Sequence, residues 1–242
     1  MTTHKHPQPR GFDIIALDAD DTLWQNEIFY RQAEEKLARL LSAPQGPEWV
    51  VQKLLEVEIA NLQAYGYGIK SFVLSMIETA VQITGGRIQA TDIQKIIGFG
   101  QEMIAAEIQL LDHVLETVAA LSASHTLMII TKGDLLDQQR KVARSGLAGY
   151  FEHIEIVSEK TSDTYRALLE KYGISPQRFL MAGNSLKSDV LPVAAIGGTA
   201  VQIPHASTWA HETVSPHEES QTEYFVLEHL GQLPGLVERL AG

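Results

Sequence analysis

The chain has 242 residues, 45% of them hydrophobic, with a formal net charge of −11 and no cysteine. That length and apolar content suit one large domain, or one domain with an insert. The lack of cysteine excludes a disulfide, a thiolate zinc site and a thiol nucleophile. The acidic balance argues against a nucleic-acid or anionic-lipid surface, either of which needs a basic patch.

Residues Met1 to Arg10 are polar and carry no apolar signal-peptide core. No apolar run approaches the roughly 20 residues of a membrane span. A cytoplasmic protein with no membrane partner is expected. Phe12 to Leu17 reads Phe-Asp-Ile-Ile-Ala-Leu, a short apolar run that predicts a buried parallel strand. From about residue 24 to 108 no strand is evident. Amphipathic helices are predicted over Glu27–Leu41, Glu48–Gln63, Ile69–Ile83 and Thr91–Ile108, punctuated by Pro44-Gln45-Gly46-Pro47, Gly66-Tyr67-Gly68 and Gly85-Gly86. Further strands are predicted at Thr126–Ile130, His153–Val157, Phe179–Ala182 and Thr199–Ile203, with helices at Asp134–Ser145 and Ser162–Tyr172. The stretch from Pro204 to Glu223 reads as loop with a short helix, Tyr224–Leu227 as an edge strand and Leu233–Leu240 as a last helix.

Strands alternating with helices indicate an α/β fold, a Rossmann-like three-layer parallel sheet. The helical block is too long for a simple crossover, so it predicts an inserted α-helical domain over 24–108, with the core formed by 1–23 and 109–242.

Four strand ends carry polar residues. Asp18 and Asp20 follow the first strand, where open α/β sheets bind ligands. Paired carboxylates there can converge on one magnesium ion or one reacting group, although an Asp-rich turn is commonly only solvated. Thr131, with the main-chain N–H groups of Lys132 and Gly133, offers donors for an anion, or else merely leads into a helix cap. Lys160 can reach back to a phosphate oxygen, though a lone lysine is more often a surface charge. Asn184 and Asp189 add two oxygen ligands after the fourth strand, in a loop that Ser185 or Ser188 can cap.

In this order the four elements resemble the motifs of the haloacid dehalogenase (HAD) superfamily, most of whose members are phosphatases. Asp18-Ala19-Asp20-Asp21-Thr22-Leu23 is similar to its first motif, and Thr131, Lys160 and Asn184 to Asp189 to the other three. The insert sits where that family carries an α-helical cap. The chain departs from the pattern in three places: Asp21 where glycine is common, Lys132 where asparagine often follows the motif hydroxyl, and Asn184 where aspartate is usual.

The resemblance implies a magnesium-dependent phosphatase acting on a small phosphorylated metabolite, as a monomer or homodimer. Asp18 is then the nucleophile that becomes an aspartyl-phosphate, and Asp20 the general acid and base. Thr22, Thr131, Lys132, Gly133 and Lys160 hold the phosphate. Asp18, the Asp20 carbonyl and either Asn184 or Asp189 hold the metal. A phosphomutase, a dehalogenase, a phosphonatase using Lys36, Lys53 or Lys70, and a binding module that has lost catalysis are the alternatives. Tyr65-Gly66-Tyr67-Gly68 reads as a turn between helices or a substrate loop, and Trp24, Gln25 and Asn26 as a hinge or site entrance. His4, His6, His205, His211 and His217 show no zinc spacing, and Gly98-Phe99-Gly100 has no strand before it.

Overall fold

The computed structural model describes residues 11–206, 209, 212, 214 and 222–241. His4, His6, His211, His217 and most of the stretch read as loop after Pro204 lie outside them.

Six parallel strands form one sheet in the order β3-β2-β1-β4-β5-β6. They are β1 (Ile14–Leu17), β2 (Thr126–Lys132), β3 (His153–Val157), β4 (Phe179–Gly183), β5 (Thr199–Gln202) and β6 (Phe225–Val226). Strand β1 is central, with Leu17 opposite Ile129 on one side and Ala182 on the other. Alternation along it feeds two cores, because successive side chains leave opposite faces. Ile15 and Leu17 pack with α5 (Val114–Ser122), α6 (Leu135–Arg144) and the last helix α9 (Leu233–Ala241). Ile14 and Ala16 pack with α7 (Ser162–Tyr172) and the short α8 (Leu191–Ala194). The three-layer architecture is as the sequence predicts.

The insert consists of α1 (Glu27–Leu41), α2 (Pro47–Tyr65), α3 (Ile69–Ile83) and α4 (Ala90–Ala105). It has its own core, in which Leu37, Leu54, Phe72, Met76 and Ile96 are buried together. Two linkers join it to the sheet domain and pair with each other: the Gln25 N–H donates to the Gln109 carbonyl at 2.9 Å and the Leu111 N–H to that of Leu23 at 3.0 Å.

Local signals place the ends. Asp134 caps α6 by accepting the Asp137 N–H, and Thr161 caps α7 by accepting that of Thr164. Gly173 ends α7 in the left-handed region (φ 66°), where glycine carries no Cβ penalty. Thr131 is no cap; it lies inside β2, opposite Ile156. No helix among the described residues is long and apolar enough to cross a membrane.

Candidate active site

The chain leaves β1 for β2 and β3 on one side and later fills β4 and β5 on the other. That reversal opens a crevice at the carboxyl ends of β1 and β4, where a ligand can reach main-chain and side-chain groups of both. Asp18 follows β1 directly, its N–H bound to the Ala182 carbonyl at 2.9 Å. The next turn is tight: the Ala19 carbonyl accepts from the N–H groups of Thr22, Leu23 and Trp24. Asp21 sits in the left-handed region (φ 59°), which explains why glycine suits this place and why aspartate is tolerated there.

Asp18 is buried, with Oδ1 accepting from Lys160 Nζ at 2.5 Å and Oδ2 from Thr22 Oγ1 at 3.0 Å. Burial pushes its carboxyl up, to about 7; Lys160 opposes the rise and Asp189 and Asp20 add to it. Lys160, also buried, donates to Asp189 Oδ1 at 2.7 Å. Burial works against its ammonium, but the two carboxylates hold it above its ordinary value. Asp189 Oδ2 accepts the Ser185 N–H at 3.0 Å, so both its oxygens are taken. A Cβ added at Gly183 would lie 2.3 Å from that oxygen, so only glycine lets the carboxylate pack so close to β4.

Asp20 faces the same cavity, and four hydrogen bonds hold it. Trp24 Nε1 reaches Oδ1 at 2.7 Å and Gln138 Nε2 reaches Oδ2 at 2.8 Å. Lys141 Nζ lies 3.1 and 3.0 Å from the two oxygens. Trp24 is fully buried beneath the site and does not line its entrance.

Thr131 lines the cavity, and its hydroxyl has no hydrogen-bond partner among the described residues. Lys132 pairs with Val157 in the sheet, and its ammonium is bound by Glu212 and, at 2.9 Å, by Ser188 Oγ. Burial acts against ionised Glu212, yet Lys132 and the hydroxyls of Ser185 and Ser188 hold it down at about 2. Thr22 and Gly133, which the sequence groups around the phosphate, are not among the lining residues. The Thr22 hydroxyl is used within the protein, donating to Asp18 and accepting the Asn184 N–H at 3.1 Å.

The cavity measures about 150 Å³ and lies between the strand ends and the cap. Glu27, Tyr30 and Glu34 from α1 and Glu58 from α2 line its cap side. Burial, reinforced by neighbouring carboxylates, raises Glu27 and Glu58 to about 8 each. Tyr67, in the turn after α2, also lines it. Its ring covers Lys132 Nζ at 4.4 Å and its hydroxyl donates to Glu159 at 2.5 Å. Sequence reasoning missed Lys141, Gln138, Glu212 and these cap carboxylates; for all but Glu212, regular spacing within helices hinted at a shared face.

The donors present fit a hard divalent cation of magnesium type. Among the described residues no three carboxylate, imidazole or thiolate side chains group as a metal site. The available set is mixed: the Asp18 carboxylate, the Asn184 amide oxygen and the Asp20 carbonyl, which accepts no hydrogen bond from the described residues. Thr22 has one hydroxyl proton, and its 3.0 Å contact with Asp18 is better than its 3.4 Å contact with Asn184 Oδ1, which leaves the amide oxygen free to ligate.

Residues 12–197 match the family model of haloacid dehalogenase-like hydrolases. No curated protein matches the chain. Among solved structures, a haloacid dehalogenase-like family hydrolase from Xanthomonas campestris is 38% identical, with a TM-score of 0.84 over 96% of this chain and 92% of that one. L-2-haloacid dehalogenase from Xanthobacter autotrophicus is 18% identical, with a TM-score of 0.64 over 94% and 98% of the two chains. A HAD-hydrolase from Bacillus subtilis bound to magnesium is 16% identical, with a TM-score of 0.64 over 94% and 99%. Both lower-identity structures share the fold. With the family model covering most of its length and four polar strand ends meeting in one cavity, the chain belongs to the haloacid dehalogenase-like hydrolases.

Proposed function

We propose that the protein is a magnesium-dependent phosphatase acting on a small phosphorylated metabolite. The observation that carries this reading is Asp20, a second carboxylate in the cavity beside Asp18, held by three side chains. An alkoxide leaving group needs a proton; a departing halide does not. The oxygen donor set, the unpartnered Thr131 hydroxyl and the buried Lys160 support the same reading, since each complements a phosphoryl group. None of Lys36, Lys53 and Lys70 lines the cavity, and each pairs with a carboxylate, which disfavours a phosphonatase.

In this mechanism an Asp18 oxygen attacks phosphorus, the bond from phosphorus to the ester oxygen breaks, and Asp20 gives that oxygen its proton. Asp20 then takes a proton from the water that attacks the aspartyl-phosphate, releasing inorganic phosphate and free Asp18. Lys160 and Thr131 hold the equatorial oxygens. Asp18, Asn184 and the Asp20 carbonyl would hold magnesium, which would supply charge neutralisation between an anionic nucleophile and an anionic substrate. The cavity size suits a metabolite rather than a macromolecule.

The test is release of inorganic phosphate from an aryl phosphate and a panel of phosphorylated metabolites, with and without magnesium. Turnover that needs the metal and vanishes in Asp18→Asn is expected. Metal-independent chloride release from a 2-chlorocarboxylate, with no phosphate release, overturns the reading in favour of a dehalogenase.

A further inference from the structure

We propose that Lys141 is a positioning residue for Asp20, and that through Asn26 it ties the placement of that carboxylate to the angle of the cap. The inference rests on the phosphatase reading, in which Asp20 handles the proton.

Lysine is almost never buried without partners, yet Lys141 is only 9% exposed. Its ammonium meets both Asp20 oxygens, at 3.0 and 3.1 Å, and Asn26 Oδ1 at 2.8 Å, with Asp137 further off at 3.5 Å. Asn26 stands in the outgoing linker, one residue before α1. A single ammonium thus joins the proposed proton donor to the hinge of the cap.

The rest of α6 strengthens the link. Gln138, one turn before Lys141, binds the other side of Asp20. Arg144, three residues after Lys141, donates to the carbonyls of Ala105 and Ala106, where the chain leaves α4 on its way back to the core. One face of α6 therefore grips both linkers and the Asp20 side chain. Turning the cap about its linkers moves Asn26 relative to α6, and Lys141 cannot then keep its contacts to both Asn26 and Asp20. Asp20 is fully held when the cap is seated, as here, where Tyr67 bonds Glu159 and Lys70 lies 2.8 Å from Asp134. Small misplacements of such a group cost about 10²-fold in rate.

The experiment uses the full chain with magnesium and two esters: an aryl phosphate whose phenol leaves unprotonated, and an alkyl phosphate whose alkoxide must be protonated. The readout is kcat/KM, which reports through departure of the leaving group. Lys141→Met is expected to lose about 100-fold more on the alkyl ester than on the aryl ester, and Lys141→Arg to recover most of that gap. Asn26→Ala is expected to show the same bias, more weakly. Equal losses on the two esters in Lys141→Met, with the circular dichroism spectrum unchanged, overturn the positioning role. An unchanged ester ratio in Asn26→Ala overturns the hinge link. Lack of turnover of either ester by the wild-type protein overturns the phosphatase reading itself, and the inference with it.

Discussion

The Asp21 carboxylate binds the Glu27 N–H, at 3.1 and 3.2 Å from its two oxygens, and so a residue of the turn after β1 caps the first helix of the cap. It also accepts the Asn26 N–H at 2.9 Å. Asn26, at the helix start, makes no capping bond with its own side chain. Asp21→Ala loses these bonds and leaves a Cβ in the left-handed region, so destabilisation of about 2 kcal/mol is expected in denaturant titration. Asp21→Gly relieves the backbone but loses the cap, and is expected to cost about half as much.

Asn184 brings a neutral oxygen where a charged one is common in the family. Calcium and magnesium sites tighten as ligand charge rises. Asn184→Asp is expected to tighten magnesium binding by about tenfold, read by calorimetric titration of the protein with the metal alone.

Lys160 bridges the buried carboxylates of Asp18 and Asp189. Removing one member of a buried ion pair leaves uncompensated charge and costs about 3–5 kcal/mol. Lys160→Met is therefore expected to lower stability on that scale and to abolish turnover. Adding Asp189→Asn is expected to recover part of the stability and none of the activity. Equilibrium unfolding of the two single variants and the double variant measures the coupling.

Glu58 has its folded-state value raised to about 8 by burial and by Glu34 and Glu27. An unfolded glutamate releases its proton near 4.5, so between these values the native state binds more protons than the unfolded one. Stability contributed at Glu58 is therefore lost as pH rises through that window, and the loss levels off above it. Glu58→Gln removes the titration, so at pH 9 the variant is expected to be more stable than the wild type by about 1–3 kcal/mol, with little difference at pH 4. Thermal melts across the range test this.

The sheet was legible because buried parallel strands are short apolar runs with polar ends. His153–Val157 and the helices Glu27–Leu41, Ile69–Ile83 and Ser162–Tyr172 are read to the residue. The meeting of Asp18, Thr131, Lys160 and Asn184 in one cavity was legible for the same reason, since strand ends in this fold face one crevice. Lys141 and Gln138 were not. They lie on a short polar helix on which no local pattern separates them from exposed Gln139 and Arg140, and only the docking of α6 beneath the Asp18–Trp24 turn directs them inward. Glu212 was hidden in a polar stretch, where nothing local marks one carboxylate for burial. The Asp21 cap spans a turn and a linker, so no helix-start pattern within α1 reveals it.

The separate core of the cap has one more consequence. The groups proposed for the chemistry stand on the strand ends and on α6, whereas Glu27, Tyr30, Glu34 and Glu58 stand on α1 and α2. The cap side of the cavity can therefore be rebuilt by substitutions that leave the sheet register and the Asp18–Lys160–Asp189 triad untouched. A library confined to those four cap positions is thus expected to change which esters are turned over while the Asp18–Lys160–Asp189 contacts stay in place.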